Sequence, residues 1–511
     1  MRSIETGVDQ TLEPARLAAG ERPTEHTSSA HDVQDLARGT ALGLLALLVV
    51  VAAGLRLIGA GDQLWYDEIR TLLDSVRKPL AAIVTHFPSD NDHVFYSVLA
   101  HVSIGAGGDT PFMLRLPAVL FGIASIPLIF ALGTRITTRF EALAAAMLAT
   151  VAAYHIWFSQ NARGYTILLV LALLGTQLIL DGLETRSRKP WLLFAAVSAL
   201  GAYTHASMVL AVVGQAIAVA LHLFAIRRFT VEDLKGPAIG FIGAAALTIL
   251  LYLPMLGDVA GFFGAQSSAT AQKPVGLGVL DLFRNLHLDY VRAALFAIGG
   301  TVFIVGLVSY WRQSLLIPAL FFIPPALVYS ATVLLDRPSR PRFFFFIAGF
   351  LLLVGVRGVF VIIHFVLERL GQRWAAWERP ARWAAVAAMT GLLLFDLSRT
   401  YGRPKMDYEA ALAYVDASRH PGDIVALAGI GTDFVYTSFY DRDWPRLRGA
   451  EDLAALRRGH DVIVLHTFER PLGHADPALL NVLQTRCMEE RNFAGTLQDG
   501  DIHVSRCARL P

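Results

Sequence analysis

Asp67 and Glu68 follow Trp65 and Tyr66 in "GDQLWYDEIRTLLDS", just where a long apolar run ends. A carboxylate pair placed there can act as a general base or as ligand to a hard cation. The plainer account is a pair of acids at a helix start, where the macrodipole favours them. "PSDNDH" at 88–93 gathers Asp90, Asp92 and His93 in one polar turn. "FSQNARGYT" at 158–166 sets Arg163 and Tyr165 between two apolar runs, and "LGAYTHASM" isolates His205 in the same way. "LLDRPSRPRFFFF" at 334–346 clusters Arg337, Arg340 and Arg342 beside phenylalanines.

Arginine keeps its proton, so a half-buried guanidinium requires an anionic partner, and its planar fork suits phosphate or carboxylate. The plainer accounts are a snorkelling Arg163, a packing histidine at 205, and lipid headgroups against the late arginines. The chemistry that uses the acids and the arginines together is group transfer from a lipid-phosphate carrier to a hydroxyl. A carboxylate deprotonates the acceptor, and arginines stabilise charge growing on the leaving phosphate.

Those residues must be delivered by a membrane scaffold. The 511 residues are 54% hydrophobic and only 17% charged, with mean hydropathy +0.50. A soluble chain carries about a quarter charged residues, and apolar runs long enough to span recur here. Eleven spans are expected, near 39–59, 112–134, 140–158, 165–182, 191–204, 207–225, 237–256, 292–310, 314–334, 343–366 and 382–398. The run 94–106 is too short to cross, and Phe95, Val98, Leu99 and Val102 predict an amphipathic interfacial helix. With that run left out, every short inward loop is basic: Arg135 and Arg139, Arg186 to Lys189, Arg227 and Arg228, Arg312, then Arg369 and Arg373. The positive-inside rule then puts the N-terminus inside, the C-terminus outside, and all the chemistry-bearing loops on the outer face. Trp65 and Tyr66 suit interfacial depth there.

Residues 1–38 read as a disordered cytoplasmic tail, 39–400 as the transmembrane domain with a functional first outward loop at 61–111, and 401–511 as an extracytoplasmic α/β domain. The last part alternates amphipathic helix, Gly turn and apolar strand twice. It holds both cysteines, Cys487 and Cys507, which could pair outside the cytoplasm. A net charge of +2 gives no case for nucleic acid, and there is no Gly-rich phosphate loop between strand and helix.

These motifs carry a resemblance. "LWYDE" after the first span, "NDHVFYSVLAHVSIGAGGDTPFMLRLPAVLFGIASIPLIFALGTRI", and "FSQNARGYTILLVLALL" come in the order and places seen in membrane glycosyltransferases of the GT-C fold. The chain resembles bacterial members of the dolichyl-phosphate-mannose protein mannosyltransferase group, which includes the lipid A aminoarabinose transferases. The resemblance is good over 40–205 and rests on span pattern and "RPSRPRF" over 206–400. It implies an inverting hexosyl or pentosyl transferase of the bacterial inner membrane, using a polyprenyl-phosphate sugar and a hydroxyl acceptor on protein, glycan or lipid. Asp67 would be the catalytic base, with Glu68 supporting it or sharing a divalent ion, Mg or Mn, which is permitted but not demanded. Trp65, Tyr66, Asp92, His93, Arg163, Tyr165, His205, Arg337, Arg340 and Arg342 would bind substrate. The absence of an acid in 158–166 departs from members with a second carboxylate there, and Val94-Phe95 replaces their proline pair.

Two other classes fit parts of the pattern. A lipid-linked sugar flippase fits the arginines and spans, although transporters set their charges in broken helices near the midplane, not in loops. A non-catalytic scaffold presenting 401–511 predicts a dispensable Asp67.

Overall fold

A computed structural model describes residues 35–87, 92–225, 230–261, 290–335, 341–497 and 499–510. Residues 1–34 of the expected tail, Arg227 and Arg228, and Asp90 lie outside the described residues.

Each of the eleven expected spans holds a helix. They are α1 (Arg38–Leu57), α2 (Pro111–Ile136), α3 (Arg139–Val151 with Ala153–Ser159), α4 (Tyr165–Thr185), α5 (Arg188–Thr204), α6 (Ser207–Ala225), α7 (Val231–Tyr252), α8 (Tyr290–Gln313), α9 (Leu316–Leu334), α10 (Ala348–Leu370) and α11 (Glu378–Thr400). Among the described residues, eight helices are long and apolar enough to cross a membrane singly, and nine with the bent pair α3 taken as one. At 17 residues, α5 falls at the short end of what a bilayer core demands.

Local chemistry sets the boundaries. The Thr110 hydroxyl accepts from the Met113 amide at 3.2 Å with Pro111 at the first helical position, which starts α2. Thr138 does the same for Glu141 at the head of α3. The α3 helix turns by 63° at Ala152. Arg56 of α1 fills that break, donating to the carbonyls of Ala149 and Thr150 at 3.0 and 3.1 Å and to Ser159 Oγ at 3.2 Å. Carbonyls freed at a helix break need such a donor where no water reaches them. Small residues bring α8 and α10 together: a Cβ on Gly306 would lie 2.1 Å from the Val354 carbonyl oxygen, and one on Gly358 2.0 Å from that of Val302.

The described residues of the loop after α1 are built, not slack. They form the helix Tyr66–Thr71, a wider π turn Leu72–Val76, then the helices Leu80–Thr85 and Val94–Gly107. The last of these matches the expected short helix, but its protein-facing side is Tyr96, Ser97 and Ala100. Of the expected apolar stripe, Phe95, Val98 and Leu99 are half-buried and pack against the protein core, while Val102 is 59% exposed.

After α11 comes the α/β unit. The helix Tyr408–Ser418 leads to β1 (Ile424–Ala428), β2 (Arg446–Leu447), β3 (Val462–His466), β4 (Met488–Phe493) and β5 (Ile502–Cys507). The sheet order is β2-β1-β3-β5-β4, with β1 parallel to β2 and β3, and β5 antiparallel to β3 and β4. Cys487 and Cys507 are joined by a disulfide. One apolar core runs through both parts: Leu64, Tyr66 and Ile69 of the first loop pack with Tyr408, Tyr436 and Val504. The α/β unit therefore sits on the loop that carries Asp67.

Candidate active site

The Asp67–Glu68 pair splits in two directions. Glu68 is completely buried, and its carboxylate accepts from Arg115 Nε at 2.8 Å and Nη2 at 2.6 Å, from the Ala162 amide at 2.7 Å and from Lys405 Nζ at 3.3 Å. Burial would raise its pKa, but Arg115, then Lys405 and the hydrogen bonds, outweigh it and hold the carboxyl down to about 2. Glu68 thus ties α2, the 158–166 loop and the segment after α11 to one point. Arg115 also donates to the carbonyls of Ala60, Asp62 and Gln63, closing the end of α1.

Asp67 turns the other way. Its Oδ2 accepts from Arg342 Nη1 at 2.8 Å, and its side chain is 9% exposed. Arg342 stands in the 3₁₀ turn Pro341–Ile347 before α10. Thr71, one turn on from Asp67, bonds the Asp67 carbonyl and accepts from Arg163 Nη1 at 3.2 Å. Arg163 and Arg342 therefore bracket the short helix that carries Asp67.

Beside them lie two histidines. The His93 ring is 5.0 Å from that of His205 and 4.9 Å from Tyr165. His205 Nδ1 accepts from the Ser207 amide, which leaves its proton on Nε2. Burial first, then Arg163, lowers the pKa of both, His205 to about 3, so both rings are neutral. Both His93 ring nitrogens and the Tyr165 hydroxyl are buried without a hydrogen-bond partner among the described residues. Such atoms call for a polar ligand. Asp92 accepts from Ser75, Ser97 and the His93 amide, and burial raises its pKa. It lines a cleft of about 250 Å³ with Ser75, Lys78, Ile83 and His86.

Residues 95–256, about a third of the chain, match the family model of dolichyl-phosphate-mannose-protein mannosyltransferase. The structure of ArnT from Cupriavidus metallidurans in the apo state superposes with a TM-score of 0.50 at 12% identity, over 91% of this chain and 98% of that one. The chain has the GT-C fold. The oligosaccharyltransferase of Archaeoglobus fulgidus, in complex with Zn and sulfate, superposes with a TM-score of 0.50 at 11% identity, over 90% of this chain and 72% of that one. No curated protein sequence matches.

Within this GT-C frame, Asp67, Asp92, His93, Arg163, Tyr165, His205 and Arg342 gather at one end of the helices, while Arg337 and Arg340 lie outside the described residues. Trp65 and Tyr66 depart from expectation. They are buried in protein, not set at a lipid interface: Trp65 lies against Trp157 and donates to Asn161, and Tyr66 meets Phe434 and Phe468 edge-on. The bundle encloses Trp65, and the α/β unit covers Tyr66. Phe345 and Phe346, expected to enter the membrane, are buried too. Glu68 faces the two cations Arg115 and Lys405, and Asp67 faces Arg342. Sequence reading missed Arg115 as an anchor and Lys405 altogether. The signal for Arg115 was a charge just inside an apolar span; Lys405, in "GRPK", had none.

Proposed function

We propose that the chain is an inverting glycosyltransferase that moves a sugar from a polyprenyl-phosphate donor to a hydroxyl acceptor, with Asp67 as base. The observation that carries this reading is the Asp67–Arg342 contact at 2.8 Å, beside Arg163 and two buried histidines, at one end of a GT-C bundle. The match over 95–256 to a family named for a dolichyl-phosphate sugar supports the donor class.

In this reading the donor phosphate takes Arg342 from Asp67. The freed carboxylate accepts the acceptor's hydroxyl proton, and the hydroxyl oxygen attacks the anomeric carbon from the face opposite the phosphate. The carbon–oxygen bond to phosphate breaks, and the polyprenyl phosphate leaves with the electron pair, its charge met by Arg342 and Arg163. One displacement inverts the anomeric centre. His93, His205 and Tyr165 offer polar atoms to the sugar hydroxyls, and Glu68 positions the base by holding its helix. The chemistry needs no ion between the two acids.

The same reading puts the site on the outer face of a bacterial inner membrane, with the N-terminus inside. Arg135, Arg186 and Arg369 at the opposite helix ends support it, as does a disulfide, which persists in an oxidising compartment. The test is transfer from a panel of polyprenyl-phosphate sugars by purified wild type and Asp67→Asn. Transfer by the wild type alone is expected; equal transfer by both would overturn the assignment.

A further inference from the structure

A second cluster lies in the α/β unit. His466 on β3 and His503 on β5 are directly paired in the antiparallel ladder, so their side chains share one face of the sheet. Their rings stack at 4.9 Å, 16° from parallel. Glu469, three residues beyond His466, brings Oε1 to 3.4 Å from His466 Nε2 and is steadied by Gln484 Nε2 at 3.3 Å. One ligand atom from each of His466, Glu469 and His503 falls within 4.8 Å of the others. Glu489 of β4 stands next to them, its Oε1 at 3.6 Å from His503 Nδ1.

Hydrogen bonding accounts for the pair only in part, at His466 Nε2. The Nδ1 atoms of both imidazoles are buried without a hydrogen-bond partner among the described residues. Two neighbouring imidazoles disfavour each other's charge, and neutral imidazole is the form that binds metal. Tetrahedral zinc with bonds of about 2.0–2.2 Å has ligand–ligand edges of roughly 3.3 Å, so the His466–Glu469 edge is already the right length. The Glu469 side chain, a third exposed, has the freedom to close the remaining gap and leaves a solvent-facing position for water.

We infer that His466, His503 and Glu469 form a binding site for a divalent transition ion of the zinc class, with Glu489 as a fourth or supporting carboxylate. Two imidazoles and a carboxylate suit zinc over magnesium or calcium, which prefer all-oxygen shells. The bound ion would join β3 and β5 to the segment that leaves β3. That segment contains Phe468, held at φ 52°, whose ring packs at 5.8 Å against Tyr66, the neighbour of Asp67. The site would therefore stiffen the contact between the α/β unit and the loop that carries the base.

The test uses the full chain in detergent, stripped of metal, with zinc or cobalt(II) as the only added ligand. One equivalent of zinc is expected to bind and raise Tm, and cobalt(II) to give the visible absorption of a four-coordinate nitrogen/oxygen site. Glu469→Gln and His503→Gln should each weaken zinc at least tenfold. Glu469→Gln, at a part-exposed position, should keep the metal-free Tm and so separates lost binding from lost fold. Absence of stoichiometric binding to the wild type, or unchanged affinity in both variants, would overturn the site. The readouts are binding and Tm, so the result stands apart from any sugar transfer.

Discussion

Arg342 donates to Asp67 at 2.8 Å across 275 positions of sequence, joining the turn before α10 to the loop after α1. In the proposed mechanism that guanidinium changes partners, from the base to the donor phosphate. Arg342→Ala should therefore free the base yet lose charge stabilisation in the transition state. A fall in kcat/KM of about 10²-fold is expected, by analogy with removal of one oxyanion donor. Steady-state kinetics with a defined donor checks it; an unchanged kcat/KM would remove Arg342 from the chemistry.

Glu68 should behave as an anchor. Glu68→Gln leaves Arg115 and Lys405 buried with no carboxylate, which costs about 3–5 kcal/mol when one partner of a buried pair is removed. Thermal unfolding in detergent would show it as a large drop in Tm.

The same residue predicts an acid limb. Folded Glu68 titrates at about 2, against 4.5 for an ordinary glutamate. Between those values the unfolded chain binds more protons, so the stabilisation is complete above pH 4.5 and falls away as pH drops toward 2. It amounts to about 3 kcal/mol at full strength. Unfolding of the wild type against Glu68→Gln over that window should show the variant losing this component of the pH dependence.

Gly164 opens α4 where two loops meet. A Cβ there would lie 2.4 Å from Thr204 Cγ2 and 3.0 Å from His93 Nδ1. Gly164→Ala should cost about 1–3 kcal/mol by overpacking and displace His93. Activity is expected to fall more than the change in Tm alone would explain.

The Cys487–Cys507 bridge closes a segment of separation 20. Replacing both by serine should cost about 3 kcal/mol through the freed unfolded chain. Thiol labelling of the wild type, before and after reduction, tests whether the bridge forms in the membrane-inserted protein.

Much of this was legible in advance because a bilayer imposes long apolar runs. Every expected span holds a helix, and the alternation after residue 400 announces an α/β unit, though not its antiparallel β4 and β5. The convergence of Arg163, His205 and Arg342 on Asp67 was legible only as a shared membrane face. The division of labour between Asp67 and Glu68 was not legible. Adjacent residues on a short helix point about 100° apart, and only the packing of Arg115 and Lys405 decides which one is enclosed. Tyr66 was misread for a related reason: nothing local in "LWYDE" says that a unit hundreds of residues later will cover it.

The most direct measurement is sugar transfer by wild type and Asp67→Asn from the same polyprenyl-phosphate donor, with Tm recorded for both. Asp67→Asn keeps the shape and loses the proton acceptor. The account predicts a folded variant with transfer reduced at least a thousandfold, within the ~10²–10⁴ typical of a general base and the added loss of Arg342 placement. A folded Asp67→Asn that transfers sugar at the wild-type rate would contradict it.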